Sequence, residues 1–246
     1  MSLYEKTALQ LWGIYGEADN DIVGTMKKLK DRGISGIEPF QYPQMTSAEF
    51  GKVLADLDMG VPSIHLPLDK LLDGYREYCE YFLPLGLKYL VMPGYHVHDE
   101  KEYVWFTETF SKLARDIKSE GAELLYHNHT AEFTEIVKDG KPYWISMAEE
   151  CSDINFQLDC YWSQVGGYAP LAMLEKYPDR IRLLHIKNGH GEHASCDIDK
   201  GIIDFEPVLA LAHKLGHEWS ILEYEDNDDT YDFCERAVGY IKGLKK

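Results

Sequence analysis

The sequence predicts an α/β fold, a single (β/α)8 barrel over residues 1–246, and three observations carry that prediction. Short β-like runs alternate with longer amphipathic stretches along the whole chain, with no linker-like or low-complexity break. Eight such runs can be counted, and a barrel of this kind is typically about 250 residues long. Titratable residues gather where the runs end. The rival fold, a doubly wound open sheet, usually carries a glycine-rich phosphate turn after its first strand. The segment from Gly13 to Gly16 does not supply G-x-G-x-x-G.

The elements follow in order. Ala8 to Ile14 reads as the first strand, and Ile22, Val23, Met26 and Leu29 mark the apolar face of the helix after it. Gly33 ends that helix and Ile34 to Phe40 is the second strand. Thr46 with Glu49 three residues later forms a capping box for the next helix, which Gly60 closes before the third strand, Val61 to Leu66. A Tyr- and Leu-rich helix ends at Gly86, and Leu87 to Met92 is the fourth strand. A long helix from about Lys101 to Glu120 leads through Gly121 to the fifth, Ala122 to His127. Ile154 to Asp159 and Ile181 to Ile186 are the sixth and seventh, with a helix start at Ala169-Pro170 between them. The eighth strand is His217 to Glu223, and a last helix runs from about Asp229 to Leu244.

Composition narrows the function. The formal net charge is −17, from 25 basic against 42 acidic residues. Binding to nucleic acid or anionic lipid rests on Lys and Arg neutralising phosphates, so neither is expected as a partner. No apolar run reaches the roughly 18 residues that span a bilayer. The opening MSLYEKTALQ carries no basic-then-apolar leader, and the chain reads as cytoplasmic. Five scattered cysteines, with no Cys-x-x-Cys, fit a reducing compartment better than a disulfide framework or zinc ribbon. Assembly into a homo-oligomer is left open.

The chemistry sits at the strand tips, because barrel active sites lie at the C-terminal mouth. Glu38, His65, His127, Asn128, His129, Asp159, His185, Lys187, Glu223 and Glu225 all fall there. Buried carboxylates are costly unless paired, hydrogen-bonded or bound to metal, so a ring of acids and histidines around one mouth calls for a cation. Alternation puts His127 with His129, His185 with Lys187, and Glu223 with Glu225 on shared faces. It leaves open which member of each pair would touch a metal.

At this point the chain resembles a known family, the xylose-isomerase-like TIM barrels, also called sugar phosphate isomerases/epimerases. The likeness spans essentially the whole chain. It is carried by GIEPF at 36–40, YHNHTAEF at 126–133, LDCYW at 158–162, LHIKN at 184–188, GIIDF at 201–205 and ILEYE at 221–225. The resemblance implies one divalent metal held by Glu132, Asp159, His185 and Glu223. Two departures stand out. Tagatose/psicose epimerases place the first Glu on strand five, roughly where this chain has His127, and a His where it has Trp162.

Three carboxylates and one imidazole suit Mn²⁺, Mg²⁺, Co²⁺ or Zn²⁺. The implied activity is isomerisation or epimerisation of a small carbohydrate-like substrate (a sugar, keto-sugar or related polyol) by proton abstraction and a metal-stabilised enediolate. Glu132 and Glu223 would act as base and acid, with His129 and Lys187 assisting. Glu38, His65, His127 and Trp162 would line the substrate pocket. The same enolate chemistry also serves a dehydratase of a keto-inositol or 3-keto-glycoside. A DNA-repair endonuclease of the endonuclease IV type shares the barrel, but the acidity opposes it. A non-catalytic accessory subunit is a further alternative. His190 and His193 lie in the loop NGHGEHASCDIDKG, expected to be a solvated lid rather than a second metal site.

Overall fold

The computed structural model describes residues 2–191, 195–225 and 229–245. His193 therefore lies outside the described residues, while His190 is exposed. Eight strands form one sheet: β1 Thr7–Gln10, β2 Gly36–Glu38, β3 Ser63–His65, β4 Tyr89–Met92, β5 Glu123–His127, β6 Asn155–Asp159, β7 Ile181–Ile186 and β8 Ser220–Leu222. They pair in the order β2-β1-β8-β7-β6-β5-β4-β3, and every neighbour runs parallel. The sheet curls until β2 meets β3. There the ladder thins to a bridge between Gly36 and Gly60, with the Ile37 N–H donating to the Gly60 carbonyl at 3.0 Å and the His65 N–H to the Pro39 carbonyl at 2.8 Å. A β-carbon on Gly36 would lie 2.7 Å from the Trp219 ring, so this seam admits no side chain there.

Helices cover the outside: α1 Tyr15–Asn20, α2 Ile22–Asp31, α3 Ser47–Leu57, α4 Leu68–Phe82, α5 Glu100–Glu120, α6 Ala131–Thr134, α7 Tyr143–Glu150, α8 Cys160–Val165, α9 Pro170–Lys176, α10 Phe205–Lys214 and α11 Thr230–Gly243. The expected capping box at Thr46 and Glu49 is present on α3. The first strand is shorter than its apolar run. It stops at Gln10, whose side chain caps a 3₁₀ turn over Leu11–Ile14 by accepting from the Trp12 N–H. The segment from α6 to α7 also holds an antiparallel hairpin, Ile136–Lys138 with Lys141–Pro142, which hydrophobic periodicity does not foretell. No helix among the described residues is long and apolar enough to cross a membrane. All five cysteines are free thiols.

The strand register decides where the chemistry falls. Ala8, Val91, Leu125, Leu183 and Ile221 form a small buried cluster of their own, one residue from each of five strands. Their sequence neighbours Leu9, Leu90, Leu124, Leu184 and Leu222 belong to the larger core under the helices. Successive side chains in a strand face opposite ways. Two residues beyond the inner layer stand Gln10, His127, His185 and Glu223. Apolar packing thus fixes the direction in which the polar tips point.

Candidate metal centre and active site

His127, Asp159, His185 and Glu223, from four adjacent strand ends, bring two ring nitrogens and two carboxylate oxygens within 4.8 Å of one another, all in buried positions. His65 also approaches His127 and His185 closely enough to form an overlapping set of three nitrogens. His185 is held from both sides. Its Nδ1 lies 2.6 Å from Glu223 Oε2 and its Nε2 lies 2.6 Å from Glu38 Oε2. Burial pushes the His185 pKa down, but the two carboxylates outweigh it and bring it up to about 10. Glu223 is held well below the usual carboxylate range: burial raises it, and Lys187 and His185 more than reverse that. Burial raises Asp159 to about 7 against the pull of Lys187. Burial, followed by the neighbouring His185 and His65, keeps the His127 pKa well below the ordinary imidazole value.

Two atoms of this cluster, His127 Nδ1 and Asp159 Oδ2, are buried without a hydrogen-bond partner among the described residues. A buried polar atom left unpaired costs about 1–3 kcal/mol. Both are atoms of types that can ligate a metal, and both belong to the cluster of four. The residues therefore fit a divalent cation, with a mixed N₂O₂ donor set of borderline character.

The other expected site residues fall into distinct places. Glu132 is not brought to the four. It is buried above β5, where Tyr126 Oη donates to its Oε1 at 2.9 Å and the His129 N–H donates to its Oε2 at 2.9 Å. Its position five residues past the end of β5, on α6, turns it toward this hydrogen-bond pair instead. Glu38 does not face substrate space either. It is fully buried, and its oxygens take Ser63 Oγ, Gln157 Nε2 at 2.7 Å and His185 Nε2, with His65 Nε2 3.1 Å away. Burial raises its pKa, but the charges of His65 and His185 win and hold it well below normal. Glu38 is thus the carboxylate behind a metal-ligand candidate, the arrangement that fixes a ligand's ring and tautomer.

Lys187 is completely buried. Its Nζ reaches Glu225 Oε1 at 2.6 Å and Glu223 Oε1 at 3.2 Å, and lies 4.8 Å over the Trp162 ring. Asp159 Oδ1 accepts from the Trp162 N–H at 2.7 Å, which caps α8 and orients the carboxylate. The Asn128 side chain ties β5 to β6 by accepting from the Asp159 N–H at 3.1 Å. The rings of His127 and His129 meet edge to face at 5.1 Å, as their shared face requires. Gln157 and Ser63 were missed in the sequence, though each stands two residues before a marked tip, Asp159 and His65, and so points the same way. Gln157 holds His65 Nε2 at 2.7 Å.

A cavity of about 570 Å³ opens above the cluster. His65, His127, His129, Glu223 and Glu225 contribute its polar wall, and Trp12, Phe40, Pro67, Tyr78 and Pro93 its apolar one. That size lies within the range of pockets that hold small organic ligands, roughly 300–1,000 Å³.

Comparison with known proteins gives the fold and the family. Inosose dehydratase of Clostridium beijerinckii is 24% identical over 174 residues, 62% of this chain and 58% of that enzyme. The chain thus spans less than two thirds of that relative's length. A sugar phosphate isomerase/epimerase from Parabacteroides distasonis superimposes with a TM-score of 0.83 at 21% identity, covering 98% of this chain and 94% of the other. A xylose isomerase-like TIM barrel protein from Mycobacterium smegmatis, solved in complex with magnesium, superimposes with a TM-score of 0.73 at 15% identity over 99% and 98%. The signature of the xylose isomerase-like TIM barrel matches residues 26–245, nearly the whole chain, and the protein belongs to that family.

Proposed function

We propose that the protein is a divalent-metal-dependent enzyme that isomerises or epimerises a sugar, keto-sugar or related polyol by moving the proton beside its carbonyl. The observation that carries this reading is the buried cluster of His127, Asp159, His185 and Glu223, with two unpaired ligating atoms, at the floor of a cavity of about 570 Å³. We assign the metal to these four residues, with His127 in the place first given to Glu132. The ion, Mn²⁺, Mg²⁺, Co²⁺ or Zn²⁺, supplies Lewis-acid polarisation of a substrate oxygen when bound.

The chain's own groups do the rest. Glu223, kept ionised by Lys187 and His185, and His129, which lines the same cavity, are the proton carriers in this reading. Lys187 holds Glu223 and Glu225 in place, while Glu38 and Gln157 hold His185 and His65. Trp162 packs beneath Lys187 and next to His129, closing that side of the site. Free thiols support a reducing, cytoplasmic setting.

A second reading, dehydration by the same proton abstraction, is favoured by the inosose dehydratase relative. One experiment tests both. Metal-loaded protein is incubated with keto-sugars and inososes in D2O, and products are read by mass and NMR. Isomerisation gives an unchanged carbon skeleton with deuterium beside the carbonyl, and dehydration gives a product lighter by one water. Turnover of none of these substrates at full metal occupancy overturns both readings.

A further inference from the structure

The proposed reacting groups lie at the floor of the cavity, yet its wall carries the solvent-open ring of Trp12, with the equally open Tyr15 beside it. Trp12 is 58% exposed and Tyr15 56%. The two rings stack at 5.6 Å with planes 24° apart, and the Phe40 ring meets Trp12 edge-on at 5.7 Å. Trp12 and Phe40 line the same cavity as His127, His129 and Glu223. Large apolar faces left in water at the edge of a pocket mark a binding surface more often than a packing one.

The placement of this platform is built, not incidental. Gln10 Oε1 accepts from the Trp12 N–H at 2.6 Å and so starts the 3₁₀ turn that carries Trp12. That turn presses on the end of β8: a β-carbon on Gly13 would lie 2.0 Å from the Tyr224 carbonyl oxygen. Only glycine permits the approach, and Tyr224 stands between Glu223 and Glu225, both on the cavity wall. The backbone therefore clamps the aromatic rim against the strand that bears Glu223. Gln10 and Gln41, also on the wall, add amide groups of the kind that bind hydroxyls.

We infer that Trp12, Phe40 and Tyr15 form a second subsite that stacks a ring attached to the reacting sugar, so that the substrate is a glycoside and not a free monosaccharide. A ring presents a flat apolar face, either the C–H face of a second sugar or the π-face of an aromatic aglycone, and indole faces pack well against both. The cavity has the volume of a drug-sized ligand, which leaves space beyond a single sugar ring held at its floor. This inference rests on the carbohydrate reading given above and narrows it.

The test is direct binding to the Mn²⁺-loaded protein, followed by tryptophan fluorescence and saturation-transfer NMR, with glucose, phenyl β-glucoside and cellobiose as probes. Either glycoside should bind at least tenfold tighter than glucose, and saturation should fall most strongly on its second ring. Tighter phenyl glucoside alone assigns the subsite to an aromatic aglycone; tighter cellobiose alone assigns it to a sugar. In Trp12→Ala the glycoside-to-glucose ratio should collapse toward one, with Trp12→Phe restoring part of it. Equal affinities in the wild type, or a ratio unmoved by Trp12→Ala, overturn the subsite while leaving the carbohydrate reading standing. A dimer that dissociates in Trp12→Ala with the ratio unmoved also overturns it, since the platform then covers a second copy. Binding of none of the three sugars overturns the subsite, whereas the carbohydrate reading stands or falls separately on the turnover of keto-sugars and inososes.

Discussion

The proposed ligand set turns on single residues. Asp159→Ala and His127→Ala should each abolish stoichiometric Mn²⁺ binding measured by elemental analysis of dialysed protein. Glu132→Ala should keep the metal and instead lose about 1–3 kcal/mol of stability, because Tyr126 Oη and the His129 N–H would be left buried without their acceptor. Retained metal in His127→Ala, with loss in Glu132→Ala, would return the ligand to Glu132. Glu38→Gln should keep the fold but weaken metal affinity roughly 10–100-fold, as removal of an orienting carboxylate does. Unchanged affinity would make Glu38 a packing group only. That Asp159, His185 and Glu223 gather at one mouth was legible because they end apolar runs at the same side of the barrel. His127 against Glu132 was not, since spacing gives the face of a strand and not the path of the loop beyond it. Glu38 was placed with the substrate because depth below the cavity floor has no sequence signature.

At the level of elements, local chemistry and tertiary contact divide the work. The α3 capping box could be seen in the sequence because it is local: Thr46 Oγ1 accepts from the Glu49 N–H, and Glu49 Oε2 accepts from the Thr46 N–H at 2.8 Å. Thr46→Ala should lower stability by roughly 1 kcal/mol in urea unfolding, with the slope unchanged. A loss below a few tenths would show that tertiary packing alone holds the start of α3. The first strand shows the opposite case. Its apolar run continues to Ile14, so periodicity overshoots. The turn is set by Gln10 and by the contact of Gly13 with Tyr224, more than two hundred residues away in sequence.

For the whole molecule, fold class was the most legible feature, since eight repeats of one pattern outweigh errors at any single boundary. Stability against pH is a property of the whole chain that one residue shapes. His217 precedes β8, and burial lowers its pKa from 6.5 to about 4, partly offset by a hydrogen bond to Ile181. Below pH 6.5 the unfolded chain binds a proton that the folded chain refuses. Stability conferred above pH 6.5 is therefore lost progressively as the pH falls toward about 4. His217→Gln should flatten that part of the curve of melting temperature against pH. An equal slope in both proteins would assign the acid loss to other groups.

The seam between β2 and β3 gives the polar network a mechanical meaning. Among the described residues three backbone bonds cross it, from the Gly60 N–H to Ser35, the Ile37 N–H to Gly60 and the His65 N–H to Pro39. Side chains fasten the hoop beside them: Ser63 Oγ donates to Glu38, and His65 stands 3.1 Å from the same carboxylate. Glu38 is a clasp as well as a support for His185, so the site and the closure of the barrel share one set of bonds. Cutting the clasp should loosen the hoop locally before the whole chain unfolds. Amide hydrogen exchange at Ile37, Gly60 and His65 should accelerate at least tenfold in Glu38→Ala, while exchange in β5 and β6 stays within about twofold of wild type. Uniform acceleration along all eight strands would mean that Glu38 supports the barrel as a whole and is no local clasp at this seam.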